Sequence, residues 1–482
     1  CNDCMKACIY QKQQPVDIPK IESTVLNQTL ELDYGFEIYS LLTRWNPLNR
    51  NSQIASKHNK KKTVMVAGLG PAGFTLSHYL LNQGYGVIAV DGLKIEPLEH
   101  KLTGVDQLGK RHKFQPIKRV EEVYDALSER IPQGFGGVAE YGITVRWNKN
   151  YLKVIRLLLE RRSNFRMYGS TRIGSDLNLN QIKDLGVSHL ALCFGAGSPK
   201  LLQIPNIMAK GVRFASDFLM ALQLSGAHRE NSNTNLEIRM PIAVIGGGLT
   251  AIDTATESLE YYAKQVSKVY KRYKILGEKI FENMSANQQE VCREFIDHGK
   301  KITENPNQKL QILKGLGGVT ICYRKGLEES TAYKLNHEEV DHAFKEGIEM
   351  REGIVPLAIE VDITAHVSGI RHENGLIPAK SIFIATGTKP NTVLAREVAG
   401  VEMDGIYFKK DMAHSFINPK RQETSVVMKS DLGLDLSFFG DLHPEYAGNV
   451  VKAMASAKDG YPSLSNLIES KQDSDQKFDE IC

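Results

Sequence analysis

The sequence predicts a protein of the α/β class, on the strength of three observations. Glycine-rich turns at 68–73 and 246–251 each follow an apolar strand and open an amphipathic helix. Two further apolar strands, within 190–206 and 381–391, each lead into a glycine turn and a proline. At 482 residues the chain is too long for one ordinary core, so we expect two or three domains.

The composition of the chain argues against nucleic-acid-binding and membrane-spanning classes of protein. Hydrophobic residues make up 42% of the chain and charged residues 24%, as in globular proteins. The formal charge of +4 is too small to favour nucleic acid or an anionic membrane as a partner. No apolar run is long enough for a transmembrane segment, and no signal peptide is visible. Because the first residue is not Met, we expect upstream sequence to be missing.

Cysteine usage favours a reducing, cytoplasmic setting. Four of the seven cysteines stand singly, at Cys193, Cys292, Cys322 and Cys482, which is not a disulfide framework. No CxxC or CxxxxC pair occurs after the first eight residues. This weighs against a dithiol–disulfide reductase, which needs such a redox pair.

The first glycine-rich turn belongs to a complete β-α-β unit over Thr63–Asp91. Gly68 allows the tight turn, Gly70 lets the backbone approach a pyrophosphate, and Gly73 lets the helix pack close to the strand. Asp91 ends the second strand, where an acid can bind a ribose 2′-OH. The unit predicts a site for an adenosine with free hydroxyls, such as that of FAD, with contacts from Gly68, Gly70, Pro71, Ala72, Gly73 and Asp91.

The second unit starts at Met240 and carries Gly246, Gly248, Thr250 and Ala251 in its turn. Its second strand is expected only at 318–326, after a mostly helical insertion over 261–317. That strand ends on Tyr323-Arg324-Lys325 rather than on an acid. Because Arg and Lys suit a 2′-phosphate, this unit predicts an NADPH site. The alternative is an ordinary solvated strand end.

Three more stretches fit a flavin domain. Gly195 follows one of the two further strands, and Thr386 and Gly387 follow the other; these look like crossings between a flavin domain and an inserted nicotinamide domain. Near the C-terminus, a strand, Gly440-Asp441 and a helix follow one another. Asp441 can accept a hydrogen bond from a ribityl hydroxyl, and the helix N-terminus can face a pyrophosphate. The alternative is a strand-turn-helix that only packs.

Two dinucleotide units in one chain imply hydride transfer from a nicotinamide to a flavin. Such a reaction needs no catalytic Ser, Cys or His, so we assign no catalytic residue. We expect His78, His337, His342 and His443 to be structural or surface residues.

Together these motifs resemble the small (beta) subunit of bacterial NADPH-dependent glutamate synthase and the N-terminal half of dihydropyrimidine dehydrogenase. The resemblance runs from Cys1 to about Leu464. It includes GGVAEYGITVRWNK (Gly136–Lys149), GGGLTAID (Gly246–Asp253), YRK (Tyr323–Lys325) and Gly440-Asp441. It implies that Gly136 and Gly137 lie beside the flavin, that YRK grips the 2′-phosphate of NADPH, and that Gly440-Asp441 holds FAD.

The opening CNDCMKACIYQKQQPVDIPKIE is also similar to that family's cysteine segment, which ligates a [4Fe–4S] cluster. Cys1, Cys4 and Cys8 supply three thiolates, whereas a cluster takes four ligands, so the ligand set is incomplete and we expect a fourth ligand before residue 1. A three-cysteine zinc site completed by a histidine is the competing interpretation, but the nearest histidine is the distant His58.

The predicted organisation is two Rossmann-like dinucleotide-binding domains, with the NADPH domain inserted in the FAD domain, preceded by a short helical iron–sulfur segment. We place the iron–sulfur segment at 1–55, the FAD domain at 56–205 and 380–465, the NAD(P)H domain at 206–379, and a polar tail at 466–482. Residues 93–131 and 261–317 are longer than the family usually has; each is surface decoration or a docking surface for a partner.

The predicted function is an NADPH-dependent flavoprotein oxidoreductase that passes electrons through FAD to iron–sulfur centres and a downstream acceptor. The acceptor is expected to be a protein or domain, either separate or in the same longer polypeptide. Two alternatives stay open: an NADPH–ferredoxin reductase, which would not need Cys1, Cys4 or Cys8, and a non-catalytic dinucleotide-binding subunit.

Overall fold

The computed structural model of the chain describes residues 3–44, 62–126, 129–137, 148–418, 421–430, 433–471 and 478. Several expectations fall outside these residues: the linker before Lys62, the ligand Cys1, the 138–147 part of the GGVAEYGITVRWNK motif, and most of the polar tail.

Helices and strands largely alternate from the strand that begins at Thr63 to the long helix that begins at Leu249, whereas runs of helices and runs of strands make up much of the rest of the described chain. The helices are α1 (Asp3–Lys6), α2 (Ile18–Glu31), α3 (Gly35–Arg44), α4 (Pro71–Asn82), α5 (His100–Thr103), α6 (Asn150–Glu160), α7 (Leu179–Asp184), α8 (Ala215–Leu224), α9 (Leu249–Leu276), α10 (Ala286–Glu304), α11 (Lys309–Gly315), α12 (Thr331–Lys345), α13 (Leu394–Glu397) and α14 (Val450–Glu469). The strands are β1 (Thr63–Ala67), β2 (Gly86–Val90), β3 (Phe165–Tyr168), β4 (His189–Leu192), β5 (Ser198–Pro199), β6 (Val212–Phe214), β7 (Ile242–Ile245), β8 (Val319–Cys322), β9 (Glu349–Arg351), β10 (Ala358–Val361), β11 (Val367–His372), β12 (Gly375–Pro378), β13 (Ser381–Ile384), β14 (Thr388–Lys389), β15 (Met403–Asp404), β16 (Tyr407–Phe408), β17 (Ser415–Asn418), β18 (Arg421–Ser425), β19 (Val427–Met428) and β20 (Leu436–Phe438).

The first large sheet has six strands in the order β19-β20-β4-β1-β2-β3. All neighbours are parallel except the edge pair β19–β20. Strands β1, β2 and β4 are buried along their whole length, as expected when helices cover both faces of a parallel sheet. Helices α4 and α14 pack against each other.

The second large sheet has five strands in the order β6-β13-β7-β8-β9, and all of its pairs are parallel. A three-stranded antiparallel sheet, β10-β11-β12, follows β9 in the chain. The six-stranded sheet, which is parallel apart from its edge pair, and the parallel five-stranded sheet confirm the predicted α/β class.

The second sheet is nested within the first along the chain. Its strands lie between residues 212 and 384, after β4 and before β20, which are paired with each other in the first sheet. The two connecting stretches meet in a short antiparallel pair, β5–β14, in which Thr388 lies opposite Pro199. The predicted domain boundaries stay a prediction, since they were placed by sequence alone.

The 261–317 insertion is built into the core of the second sheet. Helix α9 runs on to Leu276, and α10 and α11 follow it. The side chains of Val266, Val291, Phe295 and Ile302 are buried in the same hydrophobic cluster as strands β7 and β8. Helix α10 is also tied to the sheet by Glu294, which lies 2.5 Å from Arg239 and 2.8 Å from Lys380.

The 93–131 stretch joins the N-terminal helices to the first sheet's domain. Ile117, Val120 and Val123 pack in one buried cluster with Leu30 and Phe36 of α2 and α3. The guanidinium of Arg161, just after α6, lies between the rings of Phe36 and Phe114, at 4.9 and 4.3 Å from their centroids. It also donates to Glu37 Oε1 at 2.7 Å. This stretch is thus a packing layer between two parts of the molecule.

Within the part of the chain that the structure describes, no helix combines the length and the apolar character needed to cross a membrane.

Candidate functional site

The two glycine-rich turns open into one cavity of about 1420 Å³. Gly68 and Gly70 line it from the first sheet, and Gly246 and Gly248 line it from the second. Sites for one small molecule are usually about 300–1,000 Å³, so this cavity is larger than a site for one such molecule.

The first turn has no room for side chains at two of its glycines. Gly68 has a φ of +96°, and a β-carbon there would lie 2.3 Å from the carbonyl oxygen of Cys193. A β-carbon on Gly73 would lie 1.9 Å from the carbonyl oxygen of Gly68. Gly70 precedes α4 without a side-chain cap, so the first N–H groups of this helix can receive an anion.

Asp91 lies at the end of β2 and lines the cavity. Its Oδ2 accepts a hydrogen bond from the Leu69 N–H at 2.8 Å, and its Oδ1 accepts one from the Leu93 N–H at 2.8 Å. The carboxylate therefore fixes the glycine turn itself.

In the second turn, as in the first, the first glycine has no room for a side chain. A β-carbon on Gly246 would lie 2.3 Å from the carbonyl oxygen of Ala385, whereas one on Gly248 would have no atom within 4 Å. Gly248 precedes α9 and has no side-chain cap. Thr250 lines the cavity, while Ala251 is fully buried within α9.

The three residues after β8, Tyr323, Arg324 and Lys325, lie differently with respect to the cavity. A β-carbon on Gly247 would lie 2.3 Å from the ring of Tyr323, so this ring packs directly on the turn. Arg324 is exposed and lines the cavity. Lys325 pairs with Glu329 at 3.1 Å and is not among the lining residues. Arg324 is therefore the basic side chain of this motif that faces the cavity.

Gly195, Thr386 and Gly387 line the cavity where the two connecting stretches cross. The Lys200 N–H donates to the Gly387 carbonyl at 2.9 Å, and the Asn391 N–H donates to the Gly195 carbonyl at 2.9 Å. These bonds hold the two stretches together at the cavity wall.

Gly136 and Gly137 line the cavity with φ values of +61° and +58°. They follow Phe135, whose ring stacks on Phe74 of α4 with centroids 3.9 Å apart. The loop is thus held against the helix that starts at the first glycine turn.

Asp441 lines the cavity and accepts from the Gly448 N–H at 2.8 Å. Burial raises the pKa of its carboxyl above the usual range. Gly440 does not line the cavity; a β-carbon on it would lie 3.2 Å from the β-carbon of Ala72, so it brings the strand end close to α4. Ala72 and Gly73 likewise lie behind the wall.

Comparison with known proteins identifies the family. Residues 62–416, which include both glycine-rich turns, match the family model described as pyridine nucleotide-disulphide oxidoreductase. The chain belongs to the pyridine nucleotide-disulphide oxidoreductase family. As a member of this family it is an FAD-dependent oxidoreductase that binds NAD(P), and the predicted enzyme class and Rossmann-like fold are confirmed.

Individual relatives say less about the function of this chain than the family model does. An uncharacterized protein of Rickettsia prowazekii (strain Madrid E) is 46% identical over 478 residues; the match covers 97% of this chain and 62% of that protein. Among solved structures, T. acidophilum thioredoxin reductase is 13% identical, with coverages of 84% and 97% and a TM-score of 0.43. FprA of Mycobacterium tuberculosis is 13% identical, with coverages of 87% and 88% and a TM-score of 0.45. The family assignment rests on the match over 62–416.

The cysteines of this family member do not form a redox pair in the described part of the chain. Cys193, Cys292 and Cys322 are buried and free, and burial raises the pKa of each thiol. Cys4 is exposed and Cys8 half-buried, and both are free. Among the described residues, no group of three or more His, Cys, Asp or Glu side chains could hold a metal ion.

Several lining residues were missed by sequence reasoning. Arg172 and Glu397 line the cavity and pair with each other at 2.6 Å, although 225 residues separate them. Ser216 and Asp217, in the first turn of α8, and Lys200 also line it. Only Lys200 had a local signal, since it directly follows the predicted glycine turn and proline after β4.

Proposed function

We propose that this oxidoreductase is an NADPH-specific module that passes electrons through FAD to an iron–sulfur centre and on to a protein acceptor. The observation that carries the proposal is that both glycine-rich turns open into one cavity of about 1420 Å³. Residues 56–205 and 380–465 would form the FAD half, and 206–379 the NADPH half.

The residues in the cavity wall fit both cofactors. Gly70 and the uncapped start of α4 would bind the FAD pyrophosphate, Asp91 a ribose hydroxyl, and Asp441 a ribityl hydroxyl. Gly136, Gly137, Gly195, Thr386 and Gly387 would border the space between the two dinucleotides. Bound together, NADPH and FAD would supply the hydride donor and acceptor, and the protein orients them and excludes water.

NADPH rather than NADH is proposed because of the residues at the end of β8. The residue directly after β2 is the acid Asp91, whereas Tyr323 and then Arg324 follow β8, and the side chain of Arg324 faces the cavity. A guanidinium there would attract a 2′-phosphate, and an acid would repel one. Lys325 is paired with Glu329 and does not line the cavity, so Arg324 is the residue of the motif to which we give this role.

The iron–sulfur part of the proposal rests on sequence spacing and on the resemblance to the glutamate synthase small subunit. Cys4 and Cys8 lie in and just after α1, and their thiols are free. With Cys1 they would give three ligands, so the residues of this chain do not complete a [4Fe–4S] site and no reaction step is assigned to it. A cytoplasmic location is proposed on cysteine usage alone.

The proposal is tested by purifying the natural full-length protein without oxygen and titrating it with NADPH and NADH while recording its visible spectrum. We expect flavin bands with a broad iron–sulfur shoulder that NADPH bleaches at far lower concentration than NADH. Iron and acid-labile sulfide analysis of the same sample checks the cluster. A preference for NADH would refute the role of Arg324, and a colourless protein would refute the flavoprotein.

A further inference from the structure

Lys200 is a cation in the cavity wall and is not among the residues proposed to bind FAD or NADPH. Its side chain is exposed and lines the cavity, and within the described part of the chain its ammonium group has neither a hydrogen bond nor an ion pair. Two other described cations line the cavity, Arg172 and Arg324. Arg172 is neutralised by Glu397 at 2.6 Å, so Lys200 and Arg324 are the two cations available to an anion.

The backbone holds Lys200 firmly in place. Its N–H donates to the Gly387 carbonyl at 2.9 Å, and its carbonyl accepts from the Thr386 hydroxyl at 3.2 Å. The side chain runs past Gly387, with its Cδ, Cε and Nζ 3.7–4.0 Å from where a β-carbon on Gly387 would stand. The position of the ammonium group is therefore set by the hydrogen-bonded contact between the two connecting stretches.

Lys200 and Arg324 stand on opposite flanks of the second glycine-rich turn. In the second sheet β7 lies between β13 and β8. Arg324 follows β8 on one side, and Lys200 is bonded to the residues after β13 on the other. The turn itself lies against this second side, because a β-carbon on Gly246 would lie 2.3 Å from the carbonyl oxygen of Ala385.

A dinucleotide bound to such a turn extends to both flanks. The pyrophosphate lies over the turn, and the adenosine ribose lies at the end of the second strand of the unit, here β8. The nicotinamide half must then extend towards the other flank, where β13 ends and the crossing lies. The phosphate of the pyrophosphate that stands nearer to that side is the one joined to the nicotinamide ribose.

We propose that Lys200 binds this phosphate and so positions the nicotinamide half of NADPH. The inference rests on the proposed function. In it, Arg324 contacts the adenosine half of NADPH and Lys200 contacts the nicotinamide half. Arg324 distinguishes NADPH from NADH; Lys200 binds both, because the phosphate that it contacts is common to them.

The test measures binding of oxidised ligands to the FAD-loaded full chain by isothermal titration calorimetry. The variants are Lys200→Gln, Arg324→Gln and, as a control, Lys389→Gln, an exposed lysine on β14 that does not line the cavity. The ligands are NADP⁺, NAD⁺ and adenosine 2′,5′-bisphosphate, which keeps the 2′-phosphate and lacks the nicotinamide half.

We expect Lys200→Gln to weaken NADP⁺ and NAD⁺ by the same factor, about tenfold for the loss of one charge-assisted hydrogen bond, and to leave adenosine 2′,5′-bisphosphate unchanged. Arg324→Gln should weaken NADP⁺ and the bisphosphate but spare NAD⁺. Lys389→Gln should change none of the three.

Each other outcome is decisive. If Lys200→Gln binds all three ligands like Lys389→Gln, or weakens the bisphosphate as much as NADP⁺, the assignment of Lys200 is wrong while the proposed function stands. Loss of FAD from Lys200→Gln would place the lysine at the flavin and also refute it. If Arg324→Gln alters none of the three affinities, the NADPH specificity itself fails.

Discussion

At the scale of single residues, Gly246 and Gly248 differ in what replacement would cost. Gly246 has a φ of +156° and no space for a β-carbon, whereas Gly248 has a φ of −97° and open space around it. Gly246→Ala should therefore destabilise the fold by about 2 kcal/mol or more. Gly248→Ala should leave unfolding unchanged, yet weaken NADP⁺ binding, since its methyl group would point into the cavity.

Chemical denaturation of the two variants, followed by NADP⁺ titration of whichever is folded, checks this pair. Gly248→Ala provides the matched control for Gly246→Ala. Full NADP⁺ affinity in Gly248→Ala would contradict the idea that the dinucleotide approaches this backbone closely.

The residues that sequence reasoning placed at the cavity are those whose role is set by neighbours in the chain. Gly68, Asp91 and Gly246 act within a strand-turn-helix unit, so local spacing was enough to predict them. The Arg172–Glu397 pair is formed by residues 225 positions apart and has no local pattern. Lys325 lies in the same motif as Arg324, but it pairs with Glu329, and the motif does not indicate which of the two basic side chains lines the cavity.

At the scale of elements, α10 depends on Glu294. This carboxylate is 14% exposed and bridges Arg239 and Lys380. Burial alone would raise its pKa, but the hydrogen bonds and charges of these two partners outweigh burial, and the pKa is lowered. The contribution of Glu294 to stability is therefore present above its unfolded pKa of about 4.3 and is lost as the pH falls through its folded value.

We expect Glu294→Gln to lower the free energy of unfolding by about 3 kcal/mol at pH 7, because it leaves Arg239 largely buried beside a neutral group. The loss should stay constant from pH 6 to 8 and shrink below pH 4. Denaturant unfolding across this range measures it, with Asp297→Asn as control, since Asp297 forms an exposed pair with Lys301 on the same helix. Equal effects of the two substitutions would show that α10 is not anchored through Glu294.

The sequence predicted that 261–317 is mostly helical, and the structure bears this out. It left open whether these helices decorate the surface. The answer depends on Val291, Phe295 and Ile302, which form one buried face together with α9. Amphipathic spacing shows that such a face exists, but not which part of the molecule covers it.

At the scale of the whole molecule, Arg161 connects three parts of the chain. It stacks between Phe36 and Phe114, pairs with Glu37, and donates to the Leu102 carbonyl at 2.6 Å. Arg161→Met should release the N-terminal helices and the 93–131 stretch, while the first and second large sheets stay folded.

Limited proteolysis with thermolysin measures that release. We expect cleavage within 3–44 and 93–131 to be about tenfold faster in Arg161→Met, with unchanged FAD content. Arg119→Gln serves as control, because Arg119 makes exposed pairs with Asp33 and Glu121 in the same region, each at 3.5 Å. Unchanged cleavage, or loss of FAD together with the N-terminal helices, would contradict this modular arrangement.

The parallel pairing of β20 with β4 also sets an order of events during synthesis. Leu436 lies beside Leu190, and the whole second sheet, up to Ile384, lies between them in the chain. A ribosome therefore releases every strand of the second sheet before it releases the strand that extends the first beyond β4. The second sheet can therefore fold on the nascent chain, whereas the first sheet is complete only once β20 has been made, so the sheet that begins first is finished last.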